Sequence, residues 1–268
     1  MEVKRGTVHF VGAGPGAPDL ITRRGAELVK RADVVVYAGS LVNPALLGLA
    51  KEGCKIYNSA EMTLEQVLDV MKQAHSQNLD LVRLHTGDPC LYGAIREQMD
   101  QLDKLEIPWD DTPGVSSFCG AAAALGAEYT LPGVSQTVII TRMAGRTPVP
   151  ERESLERLAS HGASMAIFLS AGMQEQVQAA LLKGGAYTKD TPAAIVSKAT
   201  WPEEKIVRCT VGGLARAGDA AGIWKTAIIL VGGFLGAGYE RSKLYDPTFT
   251  TEFRQGTGSP AAGGRENG

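Results

Sequence analysis

The chain reads as an α/β protein of two units, a parallel-rich first half and a mixed second half. Three observations carry that reading. From Val8 onward, short apolar runs alternate with amphipathic stretches, the pattern of strands and helices that cover a mostly parallel sheet on both faces. Pro113-Gly114 then breaks the rhythm, and an Ala-rich helical stretch from Ser116 to Leu125 connects to a second series. Finally, the apolar run Leu79 to Leu84 ends in His85-Thr86-Gly87-Asp88-Pro89-Cys90-Leu91-Tyr92-Gly93. A buried strand ending this way sets bare backbone and one carboxylate at the carboxyl edge of a sheet, where open α/β folds bind ligands.

In chain order, Val8 to Gly12 is a strand entering the loop Gly12-Ala13-Gly14-Pro15-Gly16-Ala17-Pro18-Asp19. Thr22 has the hydroxyl to cap a helix running through Ala32, with Ala26, Leu28, Val29 and Ala32 as its apolar face. Asp33 to Tyr37 is a buried strand and Cys54 to Tyr57 a short one. Thr63 and Gln66 form a capping box that opens an amphipathic helix from Leu64 to Ser76. After the Gly-Asp-Pro loop comes a helix of about 12 residues beginning at Tyr92, then an extended piece near Trp109.

The second series predicts strand Thr137–Arg142, helix Arg152–Ser160, strand Met165–Leu169 and helix Gly172–Lys183. Strands Ala193–Ser197 and Ile206–Cys209, joined through Thr200-Trp201-Pro202-Glu203-Glu204, suggest antiparallel pairing. A short helix after Thr210 and the strand Ala227–Val231 close the unit. The domain boundaries expected are 1–114 and 115–245. The stretch 246–268, and Gly256 to Gly268 above all, is expected to be a disordered tail.

At 268 residues the chain buries roughly 70% of its unfolded surface, so the fold needs no metal or disulfide staple. Cys54, Cys90, Cys119 and Cys209 lie far apart, and the four histidines show no ligand spacing, so free thiols and no metal site are expected. A net charge of −2 does not advertise the basic face of a nucleic-acid binder. No apolar run reaches the roughly 18 residues of a membrane span, and Met1 to Gly6 has no signal-like apolar region, so a cytoplasmic protein is expected.

Gly12-x-Gly14-x-Gly16 invites a dinucleotide fingerprint but fails it. The third glycine comes one residue early, and Pro15 removes an N–H where a pyrophosphate wants donors. Asp88 has the acceptors for a ribose, an amine or a pyrrole N–H, against its plain reading as a turn residue. Ser116 and Ser117 suit a helix cap or a ligand contact equally. Arg142 and Arg146, on a Gly/Pro-rich loop, suit either a solvated loop or a polyanionic substrate, because each guanidinium can fork two bonds to one carboxylate. Lys198 and Trp201 pose the same choice, with core packing the simpler role for Trp201. No Ser/His/Asp elbow, Walker loop or zinc motif is present, which points to chemistry supplied by a cofactor.

Four segments together resemble one family. Val11-Gly-Ala-Gly-Pro-Gly-Ala-Pro-Asp-Leu-Ile-Thr22, Arg83-Leu-His-Thr-Gly-Asp-Pro-Cys-Leu-Tyr-Gly93, Pro113-Gly-Val-Ser-Ser117 and Lys198-Ala-Thr-Trp-Pro-Glu-Glu-Lys-Ile-Val207 are similar to the tetrapyrrole (precorrin) methyltransferases. Thr141-Arg-Met-Ala-Gly-Arg-Thr-Pro148 resembles the branch that methylates C-11 of cobalt-precorrin-4 in cobalamin biosynthesis. The resemblance spans residues 6 to 235; Ala17 departs from the aspartate common at that loop position. It implies two α/β domains forming a trough, a homodimer, and S-adenosylmethionine bound in the cleft between domains, with S-adenosylhomocysteine as product.

Carried over by position, the cofactor contacts implied are Gly87, Asp88, Tyr92, Ser116, Ser117, Leu169, Ser170 and Ala199, with Thr226 and Ala227 beside them. Asp88 is the residue implied to serve catalysis. Gly14, Pro15 and Gly16 would face the tetrapyrrole, and Arg142 and Arg146 its carboxylates. The cobalt-free precorrin-4 enzymes are the nearest alternative in the family, ahead of those acting on uroporphyrinogen, the diphthamide precursor or ribosomal RNA. A nicotinamide-dependent reductase is the alternative from another class.

Overall fold

The computed structural model describes residues 6–236 and 238–257. Strands β1 (Val8–Gly12), β2 (Val34–Tyr37), β3 (Lys55–Asn58), β4 (Leu81–His85) and β5 (Trp109–Thr112) form one sheet in the order β3-β2-β4-β1-β5. All of its pairings are parallel. Residue alternation explains why both faces are covered. Val8, Phe10, Val34, Val36 and Leu81 pack on one side with Met71 and Leu102. Val11, Val35, Val82 and Leu84 pack on the other with Val29 and Leu46. Each such side chain stabilises the fold by about 1.5–3 kcal/mol when fully buried.

Helices α1 and α2 begin where threonine side chains cap them. Thr22 accepts from the Gly25 N–H at the start of α1 (Arg23–Arg31). The Thr63–Gln66 capping box is present at α2 (Leu64–Ser76). The next helix departs from expectation: α3 runs only from Arg96 to Lys104 and does not start at Tyr92. Tyr92 and Ala94 hold φ of 59° and 50°, a left-handed backbone that no α-helix accepts.

β1 lies between β4 and β5, so the chain leaves it first to one side and later to the other. That reversal is a topological switch point, and the carboxyl ends of β1, β4 and β5 meet there. Helix α4 (Ser117–Leu125) leaves this edge. Ser116 stands at its N-cap, although its side chain makes no capping bond.

The second sheet has the order β6-β7-β10-β8-β9, from Val138–Arg142, Ser164–Phe168, Ala227–Val231, Pro192–Ser197 and Lys205–Thr210 respectively. Only β6 and β7 pair in parallel; the remaining pairs are antiparallel, as the Thr200–Glu204 connection suggested. One face packs Met165, Ile167, Ile195 and Ile229 under α5 (Leu155–Ala159), α6 (Gln174–Lys183) and α7 (Leu214–Ala221). The other packs Phe168, Val196, Ile228 and Leu230 against Ala121 and Leu125 of α4, which therefore belongs to this second core. The helix expected over Arg152–Ser160 is shorter, because a 3-10 turn at Glu151–Glu153 precedes the Ser154 cap of α5.

From 246 to 257 the chain follows turns gathered around Arg254, whose Nη2 donates to the carbonyls of Leu244, Asp246 and Phe249. Residues 258–268, the rest of the expected tail, lie outside the described residues. Among the described residues, no helix is long and apolar enough to cross a membrane.

Candidate active site

Three glycines make the switch point. A Cβ on Gly12 would sit 2.5 Å from the Gly114 Cα and 2.7 Å from the Gly87 carbonyl oxygen. One on Gly114 would overlap that same carbonyl oxygen. The ends of β1, β4 and β5 thus touch backbone to backbone. Gly14 and Gly87, at φ of 78° and 60°, exchange two hydrogen bonds, Gly14 N to Gly87 O at 3.2 Å and Gly87 N to Gly14 O at 2.8 Å.

Asp88 ties these loops together. Its Oδ1 accepts the Cys90 N–H at 2.8 Å, and its Oδ2 accepts the Gly114 N–H at 3.0 Å. A carboxylate has about four lone-pair sites, so both oxygens keep capacity for a further donor. A hydrogen bond that the Cys90 thiol donates to the Asp88 carboxylate, with partial burial, pushes that thiol up to about 11. Burial, then the charges of Asp88 and Asp110, raises the Asp111 carboxyl above the usual carboxylate range.

Beside this edge lies a cavity of about 430 Å³. Pro15, Gly87, Asp88 and Tyr92 form its wall on the first-sheet side, and Ser116 and Ser117 come from the start of α4. Leu169, Ala199, Thr226 and Ala227 line it from the second sheet. Of the cofactor residues expected from sequence, only Ser170 is absent from the wall. Ser170 is fully buried, donating to the Phe168 carbonyl and accepting the Met143 N–H, so it braces the β6 and β7 ends instead.

Tyr92, Leu169, Lys198 and Thr226 line the cavity with φ of 59°, 52°, 49° and 52°. Thr200, beside it, holds 67°. Such conformations cost about 1–3 kcal/mol each and persist where surrounding structure enforces them, commonly at functional sites. Leu169 and Trp224 are 63% and 58% exposed, so large apolar surfaces stand uncovered at the wall. Trp224, Lys225 and Phe168 also line the cavity and were not foreseen. The Trp-Lys-Thr turn immediately before the strand Ala227–Val231 is the signal that could have found the first two.

The residues expected to face a substrate divide. Pro15 reaches the cavity, whereas Gly14 is engaged with Gly87. Gly16 lies under the Trp201 ring, which a Cβ there would overlap. The Trp201 Nε1–H donates to the Pro15 carbonyl at 3.2 Å, the Ala17 N–H to Thr200 Oγ1 at 2.9 Å, and Asn43 Nδ2 to the Gly16 carbonyl at 2.9 Å. This loop runs into a three-residue 3-10 turn, Pro18–Leu20, and α1 begins only at Arg23, whereas a dinucleotide fingerprint opens directly on an α-helix. The Arg142 guanidinium donates to the carbonyls of Met143, Thr147 and Pro148, so it orders its own loop. Arg146 is exposed on that loop.

The chain matches the family Tetrapyrrole (Corrin/Porphyrin) Methylases over residues 7–215. It is 52% identical to the cobalt-precorrin-4 C(11)-methyltransferase of Methanocaldococcus jannaschii over 249 residues, covering 92% of this chain and 96% of that protein. It is 45% identical to the precorrin-4 C(11)-methyltransferase of Pseudomonas aeruginosa, covering 93% of this chain and 99% of that one. A solved cobalt precorrin-4 methyltransferase superposes with a TM-score of 0.85 at 45% identity, covering 88% of this chain and all of its own. With that match across most of its length, and with its paired parallel and mixed sheets, the chain belongs to the tetrapyrrole methylase family.

Proposed function

We propose that this protein transfers a methyl group from S-adenosylmethionine to C-11 of cobalt-precorrin-4, in cobalamin biosynthesis. The observation that carries the reading is the cavity at the switch point, in a chain 52% identical to an enzyme of that name. Its 430 Å³ fits the roughly 300–1,000 Å³ of small-molecule sites, and its mixture of apolar walls with few polar groups suits an amphiphilic nucleoside. Leu169, Trp224 and Ala227 offer the apolar cover, and Asp88, Ser117, Lys198 and Thr226 the polar anchors. The cofactor, when bound, supplies an electrophilic methyl on a sulfonium, and transfer to a ring carbon needs little acid–base help.

The residues of this chain therefore act by placement. Well-oriented reactions gain about 7–11 kcal/mol in this way. Gly87 and Asp88 hold the cofactor wall, with Ser116, Leu169 and Ala199 around it. Asp88 acts as a positioning residue through Gly114 and Cys90, with spare acceptors for the ligand. Pro15 faces the tetrapyrrole side, and Arg146 takes a substrate carboxylate. In this reading residues 1–114 and 115–245 are the two domains, the active site lies in the cleft between them, and the enzyme is a cytoplasmic homodimer.

The 45% identical relative with a cobalt-free substrate in its name supports one second reading, that metal-free precorrin-4 is the substrate. Calorimetric titration separates the enzyme classes. Binding of S-adenosylhomocysteine without affinity for a nicotinamide dinucleotide is expected. The reverse pattern refutes the proposal.

A further inference from the structure

The loop Lys198–Glu204 performs two tasks with adjacent residues. Lys198 and Ala199 form part of the cavity wall. Thr200 and Trp201 reach across to the loop after β1, where they hold Ala17 and the Pro15 carbonyl, and Trp201, like Pro15, also lines the cavity. The backbone is committed to this arrangement. Lys198 and Thr200 both hold positive φ, the Lys198 N–H donates to the Thr226 carbonyl at 2.9 Å, and the Thr200 N–H donates to Glu204 Oε2 at 2.6 Å. Pro15 is pressed from its other side by α4, where a Cβ on Gly120 would sit 2.7 Å from the Pro15 Cβ. Ala199, Trp201 and Pro15 therefore stand on one cavity and are tied to one another through Thr200 and the Trp201 Nε1–H.

We infer that Thr200 and Trp201 are positioning residues that couple the two ligands, so that filling the cofactor wall sets the wall offered to the tetrapyrrole. This rests on the function proposed above, in which Ala199 faces the cofactor and Pro15 the tetrapyrrole. Coupling of this kind is reciprocal: each ligand changes the other's affinity by the same factor. Thr200 does not itself line the cavity, so replacing its hydroxyl leaves the cofactor wall chemically intact.

The test compares wild type with Thr200→Val, which keeps the shape and removes the acceptor, and with Thr200→Ser, which restores it. S-adenosylhomocysteine and cobalt-precorrin-4 are titrated separately and then together, and backbone amide exchange is followed at Ala17. Thr200→Val is expected to bind S-adenosylhomocysteine within about twofold of wild type. It should lose most of the mutual enhancement, raise the tetrapyrrole KM about tenfold with a smaller change in kcat, and exchange faster at Ala17; Thr200→Ser restores all three. Faster exchange at Ala17 with mutual enhancement intact overturns the coupling, as does an equal loss of affinity for both ligands. Wild type that fails to bind S-adenosylhomocysteine at all overturns the function reading and the coupling with it.

Discussion

Replacing Gly114 by alanine tests the backbone contact at the switch point, because the added methyl meets only main chain. Its Cβ would lie 2.7 Å from the Gly12 Cα and overlap the Gly87 carbonyl oxygen. Carbon contacts are comfortable at about 3.5–4.0 Å, so the ends of β1 and β4 must move by roughly 1 Å from β5. Forcing a methyl into packed structure costs about 1–3 kcal/mol. The Gly14–Gly87 bonds, at 3.2 and 2.8 Å, do not both survive such a displacement, and each contributes about 1 kcal/mol. The expected loss is ~2–5 kcal/mol, a large share of the roughly 5–15 kcal/mol that stabilises an ordinary domain. S-adenosylhomocysteine binding should weaken with it, because Gly87 and Asp88 move together.

Gly48→Ala supplies the control. Among the described residues nothing lies within 4 Å of a Cβ there, and its φ is not positive, so the change should be neutral or stabilise by up to about 1 kcal/mol. Urea unfolding and calorimetric titration measure both effects. A Gly114→Ala protein with wild-type midpoint and affinity refutes the argument.

Asp88→Asn turns one carboxylate oxygen into an N–H₂ that must face either the Cys90 or the Gly114 N–H; a lost bond of this kind costs about 1–3 kcal/mol, and S-adenosylhomocysteine affinity should fall about tenfold. Unchanged affinity would remove Asp88 from the site. Arg146→Ala should raise the tetrapyrrole KM about tenfold while S-adenosylhomocysteine affinity stays within about twofold, and steady-state kinetics showing equal losses would sink its substrate role. His85 is held neutral, its pKa lowered from 6.5 to about 3 by burial and then by the Arg83 charge, and its buried Nε2 has no hydrogen-bond partner among the described residues. The unfolded chain therefore takes up a proton that the folded one refuses, so stability is full above about pH 6.5 and declines as pH falls toward 3. His85→Phe should flatten that decline in unfolding curves taken across the window, and an unaltered slope would show that His85 does not contribute.

Much of the scaffold was legible in the sequence because it rests on short-range chemistry. The Val34–Tyr37 run could only be a buried strand, and Thr63 with Gln66 marked the start of α2. The Gly-Asp-Pro loop after a buried strand pointed to the sheet's carboxyl edge, and Gly87 and Asp88 of that loop line the cavity. The misplaced start of α3 has a different origin. Tyr92 and Ala94 take left-handed backbone because the tertiary arrangement imposes it, and neither residue type announces that. The same limit applies to Leu169, Lys198 and Thr226, whose shared conformation becomes evident only around the cavity. Arg142 suited a substrate carboxylate or a solvated loop from its loop composition; its three bonds to carbonyls of that loop are contacts the composition did not announce. Trp201 read as core packing; its tie to Pro15, 186 residues away in sequence, is a contact no local pattern encodes.

The central claim is methyl transfer to a corrinoid precursor, and incubation with cobalt-precorrin-4 and methyl-labelled S-adenosylmethionine tests it most directly. The account predicts one label per tetrapyrrole, at C-11, with stoichiometric S-adenosylhomocysteine. No label on cobalt-precorrin-4, while another tetrapyrrole intermediate is methylated under the same conditions, would contradict it.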